Sequence, residues 1–192
     1  MIFQITQPFC KNGISLHILN ETHIDQLIKI SRDERIWRFG IHNFCDEKIF
    51  REKWIKKAFS EMENNQRVCF SVFQDEKIIG SSSFYHIDSD NKKLSMGYTF
   101  FHPNFWGTNV NPLTKLMMFE YAFEQLNYNR IELTVDSMNL SSCNSLKKIG
   151  IQQEGILRNH MVLFDGRIRH SVIFSVIHEE WPEIKINIER FK

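Results

Sequence analysis

A chain of 192 residues with 42% hydrophobic content holds enough apolar material for one ordinary domain and too little for two of typical size, so residues 1–192 read as a single domain. Its 24 basic and 23 acidic side chains leave a formal charge of +1, which gives no general electrostatic reason to bind nucleic acid or an anionic membrane. Cys10, Cys45, Cys69 and Cys143 stand far apart with no Cys-x-x-Cys pair, Met1 to Gly13 lacks a leader pattern and no apolar run approaches ~18 residues, so the expectation is a soluble cytoplasmic protein with free thiols and no metal site.

Ile14, Leu16 and Ile18 alternate with Ser15 and His17 as in a half-buried strand. A helix is predicted from Glu21 to about Arg35, and a second from Glu47 to Glu63, where Phe50, Trp54, Ala58 and Met62 recur every four residues. Val68–Gln74 and Lys77–Ile87, separated by Asp75 and Glu76, form a hairpin, and Leu94–Phe101 a further strand. After Pro103, a loop through Trp106 and Gly107 leads to Asn111-Pro112, a helix start in which Asn caps and proline has no amide to leave unpaired. That helix runs to about Leu126 with apolar residues around most of its circumference. Ile131, Leu133 and Val135 alternate in a strand, and a short helix from Ser141 to Ile149 stops at Gly150. Gln153–Phe164 and Arg167–His178 flank Asp165-Gly166, read as a two-residue hairpin with positive φ at both positions. The reading is an α/β fold, a mixed central sheet of about six to seven strands with helices on both faces.

Strand, then Phe105-Trp106-Gly107-Thr108-Asn109-Val110-Asn111-Pro112, then a buried helix is the arrangement in which consecutive backbone amides and the helix dipole make an anion site. The order continues through Asn139-Leu140-Ser141-Ser142, Leu146-Lys147-Lys148-Ile149-Gly150, Glu154-Gly155-Ile156-Leu157-Arg158 and Asp165-Gly166-Arg167. From about Ile14 to Trp181 this series resembles the GNAT superfamily of acetyl-CoA-dependent N-acetyltransferases, in particular the ribosomal-protein N-terminal acetyltransferase branch. The resemblance implies direct transfer of acetyl from acetyl-CoA to a primary amine, in a V-shaped opening near Phe100 and Val135. It places the pyrophosphate on Trp106, Gly107, Thr108, Asn109, Val110 and Asn111, and the pantetheine arm on the backbone of Thr99, Phe100 and Phe101. It also implies that Asn139 bonds that arm, and that Ser142 lies near the sulfur and protonates the departing thiolate.

Four positions depart from the pattern of that family: Asn109 stands where glycine is usual, Asn111 where glycine or alanine is, Ser95 where a glutamate is common and Leu146 where many members carry a tyrosine acid. Asn109 can keep the turn, because Asn tolerates left-handed backbone better than other non-glycine residues. With Ser95 in place of a base, Glu132, His102 and Tyr98 remain as bases, each with a structural alternative: a solvated strand face, a loop cap and a packed ring. Trp37, Arg38 and Phe39 fall where the resemblance puts the acceptor wall, so Trp37 and Tyr98 are the substrate-side residues, with core packing the competing role of Trp37. Glu154, Gly155 and Arg158 read as a strand start, a bulge and an ion pair. The acceptor is a protein N-terminus or a small amine. An alternative keeps the fold as a coenzyme-binding or protein-interaction module without turnover. The segment Trp181–Lys192 covers either the sheet edge or a partner, which leaves a homodimer open.

Overall fold

Asn12 and Gly13, both at positive φ (50° and 78°), close the first hairpin in the computed structural model of the chain, which describes residues 5–190. They join β1 (Phe9–Lys11) to β2 (Ile14–Ile18), and Asn-Gly is the pair that a type I′ turn favours. β1 is missing from the predicted strands although this dipeptide is its signal, and it brings the sheet to eight strands. The others are β3 (Arg67–Gln74), β4 (Lys77–Asp88), β5 (Lys93–Phe101), β6 (Arg130–Asp136), β7 (Gln152–Val162) and β8 (Ile168–Ile177). Their order is β1-β2-β3-β4-β5-β6-β8-β7, antiparallel throughout except for β5 and β6.

The β3–β4 turn has Asp75 and Glu76 both at positive φ. The β7–β8 loop differs from expectation. Gly166 N–H donates to the Leu163 carbonyl and Leu163 N–H to the Arg167 carbonyl, so Phe164, Asp165 and Gly166 form a three-residue loop. Only Gly166 is left-handed (φ 83°), because the Asp165 carboxylate accepts Arg167 N–H and suits a right-handed turn residue.

The predicted helix from Glu21 to Arg35 is divided. A 3₁₀ turn, Glu21–His23, leads into α1 (Ile24–Ser31), and the chain then breaks because the Asp33 carboxylate takes Arg35 N–H and starts a second 3₁₀ turn, Glu34–Trp37. The helix from Glu47 to Glu63 is continuous: α2 (Glu47–Ile49), a π-helical stretch Phe50–Ile55, and α3 (Lys56–Glu63). Phe50 and Trp54 stack with ring centroids 5.0 Å apart and share one apolar cluster with Leu27, Ile28 and Ala58, which holds the two helices side by side.

On the other face lies α4 (Val110–Glu120), extended by a π turn Tyr121–Gln125 and buried on nearly all sides. With it are α5 (Leu140–Lys148), stopped by left-handed Gly150, and α6 (Trp181–Glu189). Trp181 stacks on Phe123 and donates its indole N–H to Glu124, while Ile184 and Ile188 are buried, so this segment covers the chain's own α4. Ile186 faces solvent; Phe191 and Lys192 lie outside the described residues. Glu154 lies near the start of β7, as expected, and pairs with Arg130; Gly155 sits at a register shift between β7 and β8; and the ion pair expected of Arg158 does not form among the described residues.

Candidate active site

The sheet parts at its one parallel junction. β5 and β6 pair through Lys93–Arg130, Leu94–Ile131 and Ser95–Glu132, after which β5 runs on to Phe101 and β6 to Asp136 with no ladder between them. A bulge in β5 accounts for the divergence: Ser83 lies opposite Gly97 and Ser81 opposite Phe100, which puts one extra residue into β5 at Tyr98-Thr99, with Tyr98 at φ 51°. The Thr99 hydroxyl lies 2.8 Å from that of Ser82 and pins the bulge to β4. Beyond Ser95, the edge of β5 that faces β6 therefore offers backbone groups to an extended partner.

Of the expected coenzyme residues on β5, Phe100 turns its ring into the cluster of Trp37, Phe50 and Trp54, and the Phe101 carbonyl accepts the Trp106 indole N–H at 3.0 Å. The loop that follows carries its left-handed residue at Gly107 (φ 73°), whereas Asn109 is right-handed at φ −75°, ψ −4°. Asn109 thus does not keep the turn in the way expected, since Gly107 supplies it. Nor does Asn111 cap the helix, which begins earlier, at Val110. The Thr108 hydroxyl accepts Val110 N–H and donates to the Phe105 carbonyl. Among the described residues, the N–H groups of Gly107, Thr108, Asn109 and Asn111 have no hydrogen-bond acceptor, and Pro112 has no N–H to satisfy. Four free donors at the positive end of a helix make an anion cradle.

At the open end of the cleft, β6 turns into α5. Asn139 is the N-cap, its side-chain oxygen accepting Ser142 N–H at 3.1 Å, so only its amide nitrogen is left for a ligand. Ser142 is half-buried on the first turn, and its hydroxyl has no hydrogen bond among the described residues. Cys143 is buried beneath, where burial raises its pKa and keeps it a thiol. Leu146 is a core residue.

Asp136 holds this turn together and went unnoticed in the sequence. Its buried carboxylate bonds to Arg167 at 2.6 Å and accepts Met138 N–H, while its carbonyl accepts Asn139 N–H. Burial pushes its pKa up, but Arg167 and the Met138 amide outweigh that and hold it below the usual carboxylate value. The available signal was an acid on the polar parity of an alternating strand, at its last residue before the turn into a helix. Asp136→Asn is expected to cost about 2–3 kcal/mol, because it leaves Arg167 without its charge partner; the check is a lower urea midpoint at unchanged slope.

The second face of the sheet is covered by α1 and α3 only as far as Phe100, and beyond it is polar. Register puts Arg67, Tyr85, Ser95, Glu132 and Ser175 in one row across β3, β4, β5, β6 and β8, with Ser83, Gly97, Thr134, Asp136 and Ser171 on the same side. Tyr98 is 39% exposed, and the Arg67 guanidinium lies 3.9 Å from its ring centroid. Arg67 is buried, sandwiched against Trp54 and bonded to the Ser83 hydroxyl. Tyr85 fills the space a side chain at Gly97 would need and bonds to Ser95; burial first, then Tyr98, raises its pKa. His102 caps the 3₁₀ turn by accepting Asn104 N–H, the loop cap named for it, whereas Glu132 is held in an ion pair with Arg130 and is not a free solvated residue, and the Tyr98 ring is partly exposed. His160, not considered as a base, reaches this face from a bulge in β7, its Nδ1 3.0 Å from the Ser171 hydroxyl. Trp37 does not line the cleft. It is buried, with its indole N–H donated to the Ser31 carbonyl, and leaves only Arg38 and Phe39 toward the surface.

The GNAT acetyltransferase domain model matches residues 14–152, most of the chain and all of this geometry up to β7. The chain belongs to the GNAT acetyltransferase family. The uncharacterized N-acetyltransferase p20 of Bacillus licheniformis is 30% identical over 115 residues, 60% of this chain and 64% of that protein. YdaF of Bacillus subtilis, whose name provisionally assigns it to ribosomal N-acetylation, is 23% identical over 88% of this chain and 93% of its own. Among solved structures, a GCN5-related N-acetyltransferase from Brucella melitensis superposes with TM-score 0.85 at 26% identity, covering 96% of this chain and 84% of that one. Mycobacterium smegmatis RimJ, in complex with CoA-disulfide, shares the fold with TM-score 0.80 at 17% identity, over 92% and 88% of the two chains. Among the described residues of this GNAT chain, no helix is long and apolar enough to cross a membrane and no group of three or more His, Cys, Asp or Glu side chains could hold a metal.

Proposed function

We propose that the chain transfers an acetyl group from acetyl-CoA directly to a primary amine, with a protein N-terminus as acceptor. The observation that carries this is the coincidence, around one opening, of the unpaired β5 edge and the four free N–H groups of the Gly107–Asn111 loop. The extended pantetheine arm lies along Thr99–Phe101 and meets the Asn139 amide, and the pyrophosphate takes the loop amides. The amine approaches over the polar face past Tyr98 and Glu132. As it attacks the thioester carbonyl, a C–N bond forms, the C–S bond breaks, the amine loses a proton to a group on this face and the thiolate gains one from Ser142, whose hydroxyl is restored by the proton the amine gave up. Holding the two reactants in register and stabilising the oxyanion with backbone amides supply most of the acceleration. The protein acceptor draws on the name of YdaF, which assigns that relative to ribosomal N-acetylation.

Calorimetric titration with acetyl-CoA tests the reading, with desulfo-coenzyme A as second ligand and adenosine as control. The expected result is micromolar or tighter binding of both coenzymes and none of adenosine, followed by acetylation of N-terminal peptides with saturation. Absence of coenzyme binding overturns it; binding with transfer only to polyamines or amino sugars overturns the acceptor.

A further inference from the structure

α4 is apolar around most of its surface, yet it carries a buried lysine one turn after the phosphate loop. Lys115 is 7% exposed, and lysine is seldom this buried without a counter-charge. Nearby cations have one: Lys11 pairs with Glu120 and Glu189, and Lys185 with Glu120 and Glu124. Among the described residues, the Lys115 ammonium has a single partner, the side-chain oxygen of Asn111, and no carboxylate. Burial lowers its pKa to about 8, and no acidic neighbour offsets the effect. The residue before it, Thr114, is also buried, with a hydroxyl that has no partner among the described residues.

Helical side chains lean toward the N-terminus, so Lys115 lies over the turn of Asn111, at the edge of the loop with the free amides. Its bond to Asn111 has a second effect. With the oxygen of Asn111 committed, the amide nitrogen of this half-buried residue is a donor that its side chain has left to offer a ligand. A cation kept in the interior without a carboxylate costs stability in the ligand-free protein, and an arriving anion offsets that cost.

The geometry points to Lys115 and Asn111 as a phosphate-binding pair, in which the coenzyme's pyrophosphate is the missing counter-ion of the buried ammonium. This rests on the acetyl-CoA reading and deepens it. Asn111, which stands where the family keeps glycine or alanine, becomes part of the cradle, substituting a side-chain donor and a charge for close backbone approach.

The test is titration of coenzyme A and 3′-dephospho-coenzyme A into wild type, Lys115→Met and Asn111→Ala, with thermal melts of the ligand-free proteins. Lys115→Met is expected to bind both coenzymes about tenfold more weakly, or worse, while its ligand-free melting temperature stays the same or rises. A merely structural lysine gives the opposite pattern, a lower melting temperature with affinity within about twofold, and overturns the proposal. A loss seen with coenzyme A but not with its 3′-dephospho form overturns the pyrophosphate assignment. If Lys115→Met does not fold, Asn111→Ala decides: weaker binding of both ligands supports the pair, and unchanged binding ends it. A wild type that binds neither coenzyme fails the acetyl-CoA reading itself, whereas normal wild-type binding with indifferent variants fails only this inference.

Discussion

Ser142→Ala lowers the rate of acetyl transfer by about 100-fold and leaves coenzyme affinity within about twofold, the expected signature of a lost proton donor. The low end of the general-acid range applies because a thiolate is a good leaving group and departs, slowly, without help. The substitution is structurally clean. Asn139 caps the Ser142 backbone N–H, which alanine retains, and the hydroxyl it removes has no hydrogen bond among the described residues. A normal urea midpoint should accompany the loss of rate, and Ser142→Cys, which restores an ionisable donor, should recover part of it. Unchanged turnover in Ser142→Ala removes the residue from this role, and a lowered midpoint makes it a helix-start residue instead.

Gly80→Ala is the second large effect, and here stability is lost first. A Cβ at Gly80 would lie 2.2 Å from the Phe100 carbonyl oxygen and 2.9 Å from the Phe101 Cα, both backbone atoms, so a side-chain rotation cannot relieve the clash. β5 must move away from β4 where it flanks the cleft. The expected cost is about 3 kcal/mol or more, read from the urea midpoint, together with weaker coenzyme binding because the displaced residues are those that face the pantetheine arm. Gly155→Ala is the control. Its Cβ meets nothing within 4 Å and its φ is not positive, so it should change stability by under about 0.5 kcal/mol. Equal effects of the two substitutions would contradict the close approach of β4 and β5.

Much of this was legible along the chain. Alternation marked β2 and β6, a four-residue repeat marked the α2–α3 rod, and Gly150 marked the stop of α5. Gly107 lies in the turn before α4, as the motif order predicts, and Asn139 opens α5. The misses have local causes as well. Asn12-Gly13 announced β1, and Asp33 was overlooked as a side chain that competes for the backbone and breaks α1 from the turn after it.

The succession of elements follows from the chain alone, because the division between core and solvent is written in periods of about 2 and 3.6 residues that any stretch carries within itself, while the resemblance to the GNAT family rests on the order and spacing of the motifs between Phe105 and Arg167. Only folding fixes where the sheet parts, which polar side chains share its uncovered face, that Asp136 meets Arg167 from the loop before β8, and that Lys115 has Asn111 but, among the described residues, no carboxylate beside it. Those facts depend on register and on charges brought together by folding, and no period along the chain records which distant residue will stand opposite another.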